Sequence, residues 1–164
     1  MNTQSRTKRS RTLKELDEYV EKAMKRMGGI SNNIGDAAEE YFYSALLHKK
    51  TLGGIKYDFI NRNARKRGDW EWDLMLENGN SVAVLEVKHK IHPTDVEEFA
   101  KEKLPHFKES FPEYENYSIY GGVAGMAVPA DSMKMAEQYG LAVLTQDGKS
   151  VRVLNSKGFK PKSY

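Results

Sequence analysis

Two acidic residues and a lysine in one short stretch of the chain could together bind a divalent cation. Asp73 lies in the apolar segment WDLML, and Glu86 and Lys88 stand at the end of the apolar segment SVAVLEVK. Carboxylate oxygens are ligands that Mg²⁺ and Mn²⁺ prefer, and these cations retain several waters. A lysine beside them could hold a hydroxide or stabilise the charge that builds on a phosphate. These residue types therefore predict hydrolysis of a phosphodiester bond.

A β-hairpin would bring these three residues onto one face of a sheet. Asn78-Gly79 separates two predicted strands and is a strong hairpin signal. A two-residue loop would place Asp73 opposite Val84, which makes Glu86 its diagonal neighbour at about 7–8 Å between Cα atoms. Lys88, two residues beyond Glu86, would point to the same side. We therefore expect the two carboxylates to be close enough to share one cation.

The same register would place Glu71 directly opposite Glu86. Facing carboxylates destabilise a sheet unless something neutralises them. A bound cation would do so, whereas a shifted register, a bulge or an exposed strand end would avoid the conflict. Because Glu86 stands at the edge of an apolar segment, its charge is costly there unless it is paired or binds a metal. The simpler alternative is that the triplet EVK is only the polar end of a strand.

The hairpin lies within a predicted α/β domain. Apolar periodicity and turn residues predict elements in the order ααβββαβαββ, in which strands and helices alternate over the second half. That order favours a mixed sheet with helices on its faces. The pattern gives a second helix over residues 33–47, a helix capped by Thr94 and broken near Pro105, and strands over residues 55–62, 70–76, 81–88, 117–128, 141–145 and 151–154.

The N-terminal segment predicts an arm followed by an oligomerisation helix. Residues 1–11 are polar and basic, which is typical of a disordered arm. Residues 12–29 carry apolar residues at alternating spacings of three and four, and Gly28-Gly29 would end this helix. Two heptads are too short for a stable isolated coiled coil, so the helix either packs on its own domain or self-associates. Its charged opposite face favours a homo-oligomer, with residues 30–164 as the main domain.

Composition excludes several classes of protein. The chain has 164 residues and no cysteine, which excludes thiol nucleophiles, iron–sulfur clusters and zinc fingers and fits a reducing compartment. No apolar run approaches the roughly 20 residues that span a bilayer. The basic N-terminus lacks the apolar region of a secretory signal. We therefore expect a cytoplasmic protein with no membrane partner.

Basic residues are clustered, although the formal net charge is only +3. One cluster lies in the N-terminal arm, and a second lies in the turn that holds Arg62, Arg65, Lys66 and Arg67. Each cluster alone could be a solvated surface. Together with Lys90, beyond the predicted carboxylates, they could contact the phosphate backbone of a nucleic acid.

The stretch from Gly68 to Lys90 resembles the core of the PD-(D/E)XK nuclease superfamily, which has the restriction-endonuclease-like αβββαβ fold. The predicted order of elements matches that core from about residue 31 to 128. A closer resemblance covers almost the whole chain. It is to a family of uncharacterised bacterial and cyanobacterial proteins, in which a coiled-coil-like helix, a Gly-Gly break and a helix with a G-x-x-x-E pattern precede the core. The matching segments are GGISNNIGDAAEEYF at 28–42, EWDLML at 71–76, LEVKHK at 85–90, FPEY at 111–114 and GFKPKSY at 158–164.

The resemblance implies a role for each site residue. Asp73 and Glu86 would be metal ligands, the backbone carbonyl of Val87 would be a third, and Lys88 would be the catalytic lysine. The superfamily often adds an acid from the first core helix, which falls on Glu39 here. The cation would be Mg²⁺ or Mn²⁺.

The sequence departs from the superfamily motif at one position. Trp72 stands where the motif has the proline that names it. Because proline is not a ligand, the predicted chemistry is unaffected.

Two functions follow as hypotheses. The first is a metal-dependent nuclease that hydrolyses phosphodiester bonds, in DNA rather than RNA. The second is a non-catalytic scaffold or nucleic-acid-binding subunit with the same fold, assembled through its N-terminal helix.

Overall fold

The computed structural model describes residues 27–64 and 70–164, with the side chains of residues 27–32 excluded. Residues 37–164 form one compact unit, and every site residue discussed below belongs to it. The predicted arm over residues 1–11 lies outside the described residues. So do residues 12–26 of the predicted heptad helix. Homo-oligomerisation through that helix therefore stays a prediction.

The first described helix, α1, runs from Met27 to His48. The predicted helix break at Gly28-Gly29 and the predicted start at Asn33 are wrong, because the backbone is helical through both positions. Glycine costs roughly 1 kcal/mol relative to alanine inside a helix, which weakens the helix without ending it. Apolar spacing predicts an inner face formed by Ile34, Ala38, Phe42 and Ala45. Ala38, Phe42 and Ala45 are buried as predicted, whereas the prediction for Ile34 is wrong, because this residue is 41% exposed.

The predicted strand over residues 55–62 is in fact two elements. Strands β1 (Thr51–Leu52) and β2 (Ile55–Lys56) form a separate two-stranded ribbon, and β3 (Phe59–Ala64) begins the main sheet. Ile55, Tyr57 and Phe59 alternate with other residues in the sequence, which predicts that these three side chains share the inner face of one strand. The irregular backbone between β2 and β3 reverses this alternation. Phe59, predicted to point inward, is therefore 63% exposed, whereas its neighbour Ile60 is buried.

Six strands form the main sheet in the order β3-β4-β5-β6-β7-β8. Strands β3, β4 and β5 are antiparallel neighbours, β5, β6 and β7 run parallel, and β8 pairs antiparallel with β7. The predicted mixed sheet is confirmed. Helix α1, the antiparallel strands β3, β4 and β5, helix α2 (Pro93–Glu98) and the parallel strand β6 give the αβββαβ order. The bounds of the remaining strands are Trp72–Glu77 for β4, Ser81–Lys90 for β5, Ser118–Ala127 for β6, Ala142–Asp147 for β7 and Ser150–Val153 for β8.

The β4–β5 hairpin is confirmed, but its register differs from the prediction by two residues. Leu74 pairs with Leu85, and extending this register by one residue places Asp73 opposite Glu86. The predicted placement of Glu71 opposite Glu86 is therefore wrong. Because side chains alternate with a period of two along a strand, a shift by two residues leaves Asp73, Glu86 and Lys88 on one face, as predicted.

The loop between β4 and β5 explains the shift. Asn78 Oδ1 accepts the N–H groups of Asn80 at 3.0 Å and Ser81 at 2.8 Å, and the Ser81 hydroxyl at 3.0 Å. A type I′ turn would require a positive φ at Gly79, and the φ of Gly79 is not positive. The asparagine side chain therefore closes a longer loop than the predicted two-residue turn.

An irregular helical segment follows β5. It starts as helix α2 over Pro93–Glu98, becomes a π-helix over Phe99–Lys103, and continues as a 3₁₀-helix over Leu104–His106, helix α3 over Phe107–Ser110 and a final 3₁₀ turn over Pro112–Tyr114. The predicted cap at Thr94 is wrong. The first helical residue is Pro93, and the N–H of His92 donates to the Asp95 carboxylate at 2.8 Å. The predicted break near Pro105 is confirmed by the change to a 3₁₀-helix over Leu104–His106. Its cause is that proline has no N–H to continue the hydrogen bonds of an α-helix.

Two apolar layers hold the sheet. On one face, alternate residues of β5, such as Val82 and Val84, pack with the irregular segment and with helix α4 (Ala130–Gln138). On the other face, Ala83 and Leu85 pack with α1. No helix in the described part of the chain is long and apolar enough to cross a membrane.

Candidate active site

A cavity of about 290 Å³ opens beside the ends of β4 and β5, on the face covered by the irregular helical segment. Five carboxylates and two lysines are among the residues that line it. The lining residues are Trp70, Glu71, Asp73, Glu86, Lys88, Asp95, Glu98, Phe99 and Lys103. Carboxylates outnumber lysines, so the cavity favours cations and disfavours a phosphate.

Asp73 on β4 is held in a fixed orientation. Its Oδ2 atom accepts the backbone N–H of Val87 at 2.8 Å. Burial first, and then the negative charge of Glu86, raise the pKa of Asp73 to about 7. The N–H of Val87 and the positive charge of Lys103 only partly offset these two effects. A partly buried carboxylate beside a second carboxylate lacks enough positive charge to remain ionised easily.

Glu86 on β5 lies between two lysines. Its Oε2 atom is 2.6 Å from Lys103 Nζ, and its Oε1 atom is 3.7 Å from Lys88 Nζ. The side chains of Glu86 and Lys103 are 13% and 12% exposed, whereas that of Lys88 is 45% exposed. The structure thus brings together the three residues predicted to carry the chemistry, Asp73, Glu86 and Lys88.

Two neighbouring acids of helix α1, Glu39 and Glu40, differ in their surroundings. Glu40 forms an ion pair with Arg62 of β3, which lowers the pKa of Glu40. Glu39 does not line the cavity, yet it is near enough for its charge to raise the pKa of Asp73 slightly. Glu39 therefore remains the better candidate for an additional ligand, and its role as a ligand stays a prediction.

The predicted nucleic-acid contacts are only partly described. The guanidinium of Arg62 lies 5.0 Å from the centre of the Tyr43 ring, in addition to its pairing with Glu40. Lys90 is exposed at the end of β5. Arg65, Lys66 and Arg67 lie outside the described residues, so their predicted contact with a phosphate backbone stays a prediction.

Sequence reasoning missed Lys103. The break near Pro105 was visible, but helical periodicity cannot place a residue that lies just before a break, and nothing in the sequence distinguishes Lys103 from Lys101. Only the π-helical backbone over Phe99–Lys103 directs Lys103 into the cavity.

The tryptophan that replaces the motif proline is a core residue. Trp72 is fully buried and meets Phe107 edge to face, with ring centres 5.1 Å apart. The alternation of side chains along a strand predicts that Trp72 shares a face with Leu74 and Leu76. This prediction is wrong, because Trp72 packs in the layer on the opposite face. Trp70, at the cavity, stacks on His106 with ring centres 5.7 Å apart.

The donor set fits a hard divalent cation with few protein ligands. Within residues 27–64 and 70–164, no three or more histidine or acidic side chains are grouped as a metal-binding set. Asp73 and Glu86 would supply two carboxylates, and Val87 could add its carbonyl. Mg²⁺ commonly binds through one or two carboxylates and keeps waters in its other positions. Two carboxylates crowded enough to raise a pKa are consistent with such a site.

Comparisons with known proteins give little more. No protein-family model matches the chain, and a search of curated proteins finds no significant match. Among solved structures, the chain is similar to the crystal structure of a repair endonuclease from Pyrococcus abyssi, with 18% identity and a TM-score of 0.49. The match covers 66% of this chain and 46% of that chain, so the chain spans about half the length of the endonuclease. We therefore base the proposed function on the geometry of the site.

Proposed function

We propose that this protein is a Mg²⁺-dependent nuclease that hydrolyses phosphodiester bonds, with DNA as its preferred substrate. One observation carries the proposal. Asp73 and Glu86 lie on adjacent antiparallel strands and line one open cavity together with Lys88. Oxygen ligands for a cation, with a lysine beside them, can activate a water and stabilise the charge that develops during phosphodiester hydrolysis.

Each residue has a role in this proposal. Asp73 and Glu86 would hold Mg²⁺ or Mn²⁺, with Glu39 and the Val87 carbonyl as further donors. When bound, the cation would polarise the phosphate and make a water more acidic. Lys88 is nearly half exposed, so its ammonium can reach a phosphate oxygen and stabilise the negative charge that develops there.

The charge of the cavity supports a requirement for a cation. A polyanion would be repelled by the carboxylates unless a divalent ion neutralised them. Outside the cavity, positive charge would hold the substrate through its backbone. The proposed contacts are Arg62, Arg65, Lys66, Arg67 and Lys90.

Replacing Lys88 tests the proposal. Lys88→Ala should reduce cleavage at least about 100-fold, the effect of removing one group that stabilises transition-state charge. Because Lys88 is partly exposed and holds no metal in this proposal, the circular dichroism spectrum should stay unchanged and Mn²⁺ binding should be retained. Lys101→Ala, an exposed lysine outside the cavity, is the matched control. DNA and RNA should be assayed in parallel, and RNA cleaved faster than DNA would contradict the substrate preference. Full activity of Lys88→Ala, with contaminating nuclease excluded, would overturn the proposal.

A non-catalytic role is the second candidate, and one contact favours it. Glu86 is already neutralised by Lys103 at 2.6 Å, so this carboxylate is satisfied without a cation. A scaffold of this kind should show no rise in melting temperature on titration with Mg²⁺ or Mn²⁺. A nuclease should be stabilised by mass action, and Asp73→Asn should remove that stabilisation.

A further inference from the structure

The ion pair between Lys103 and Glu86 differs from an ordinary surface pair. Lys101, two residues earlier, pairs with Glu97 at 2.7 Å, but those side chains are 57% and 49% exposed. Such exposed pairs contribute little, because water screens them and both side chains lose freedom. The side chains of Lys103 and Glu86 are almost entirely shielded from solvent, and their charged atoms are about as close as those of Lys101 and Glu97. Their attraction is therefore much less screened, and it fixes the position of Glu86.

The surroundings of Lys103 keep its ammonium at the cavity. The Lys103 Nζ atom lies 5.4 Å from the centre of the buried Trp72 ring, within the range of a cation–π interaction. The π-helical turn ends at Lys103, and the N–H of Leu104 donates to the carbonyl of Phe99. Single π-helical turns are often found at functional sites. The backbone irregularity thus serves to present this lysine to Glu86.

We propose that Lys103 is a positioning residue that neutralises Glu86 in the metal-free protein and must leave this carboxylate before Glu86 can bind a divalent cation. This inference rests on the proposed function. The same ammonium, once released, lies in a cavity that has to accept a phosphate. Substrate and cation should therefore support each other's binding, since a phosphate that attracts Lys103 frees Glu86, and such coupling is reciprocal.

The test is the affinity for Mn²⁺ alone, measured by calorimetry on the full chain. Lys103→Met keeps an alkyl side chain against Trp72 and removes the competing charge, so it should bind Mn²⁺ about tenfold more tightly than wild type, a change of about 1.4 kcal/mol. Lys103→Gln should show the same gain in affinity for Mn²⁺, so that the result does not depend on the folding of a single variant. Lys103→Arg, which retains the charge, should bind with nearly wild-type affinity.

Two controls separate displacement from a general charge effect. Lys101→Met removes an equal charge from the same helical segment and should leave the affinity unchanged. Lys88→Met removes an equal charge 3.7 Å from Glu86, but from a partly exposed lysine, and should tighten binding by clearly less than Lys103→Met. Equal effects of Lys88→Met and Lys103→Met would overturn the inference.

The remaining outcomes distinguish this inference from the proposed function. If wild type binds Mn²⁺, Asp73→Asn abolishes binding and folded Lys103→Met shows unchanged or weaker affinity, the inference is wrong and the metal site stands. If neither wild type nor Lys103→Met binds Mn²⁺, the metal site itself is wrong. A second readout is a phosphorothioate oligonucleotide, a slowly cleaved substrate analogue, which should tighten Mn²⁺ binding to wild type more than to Lys103→Met.

Discussion

Replacing Asp73 with asparagine should stabilise the metal-free protein at neutral and alkaline pH. The folded state penalises the ionised carboxylate through burial and through the charge of Glu86, which raises its pKa from 3.8 to about 7. Asparagine carries no charge and keeps an oxygen that can accept the N–H of Val87. The variant therefore removes the penalty and retains the hydrogen bond.

The magnitude and its sign follow from the two pKa values. Between pH 3.8 and about 7 the folded protein holds a proton on Asp73 that the unfolded chain has released. The contribution of Asp73 to the free energy of unfolding of wild type consequently falls as the pH rises through this window. A difference of about three pH units at about 1.4 kcal/mol each gives about 4 kcal/mol in total. Below pH 3.8 both states are protonated, and the contribution disappears.

Urea unfolding in EDTA at several pH values measures this effect. The stability of Asp73→Asn minus that of wild type should be near zero at about pH 4 and should rise by up to about 4 kcal/mol by about pH 8. Glu97→Gln, which changes an exposed carboxylate paired with Lys101, should show only a small difference, because exposed ion pairs contribute little. A difference for Asp73→Asn that stays constant with pH, or a variant less stable than wild type at about pH 8, would refute the electrostatic account of the site.

Two further predictions concern the stability of the fold outside the cavity. Gly140 has a φ of 70°, and an added Cβ would lie 2.8 Å from the backbone nitrogen of Lys162, whereas Gly148 has a φ of 60° with nothing within 4 Å. Gly140→Ala should therefore destabilise the protein by roughly 1–3 kcal/mol more than Gly148→Ala in urea unfolding, and equal losses would show that the contact with Lys162 costs nothing. Asn78→Ala removes the acceptor of three hydrogen bonds in the β4–β5 loop and should cost about 1–3 kcal/mol. A thermal melt that coincides with that of wild type would contradict this role of Asn78.

The site residues on the hairpin could be predicted from the sequence because their placement depends on parity. Asp73, Glu86 and Lys88 fall on one face in any register that differs by an even number of residues. The two-residue error caused by the Asn78 loop therefore did no harm to the site. The chemistry of the site was predicted from the two carboxylates and the lysine themselves, and their position from the apolar strand segments on either side.

Other features depend on contacts that a sequence does not display. The position of Lys103 follows from a π-helical turn before Pro105, and local periodicity offers no measure of such a turn. The exposure of Phe59 follows from the irregular backbone between β2 and β3. The continuous helix through Gly28-Gly29 shows that a low intrinsic propensity is only a weak prior.

The contiguity of the candidate site in the chain has a consequence for folding and for variation. All four charged groups central to the proposals lie between Asp73 and Lys103, on a hairpin and the helical segment that directly follows it. Closing such short loops costs little chain entropy, and local contacts form faster than distant ones. We expect the acidic cluster to assemble before β7 and β8 add to the far edge of the sheet. Substitutions in β7 and β8 can therefore change the stability and the surface residues of the protein without changing the arrangement of the four charged side chains.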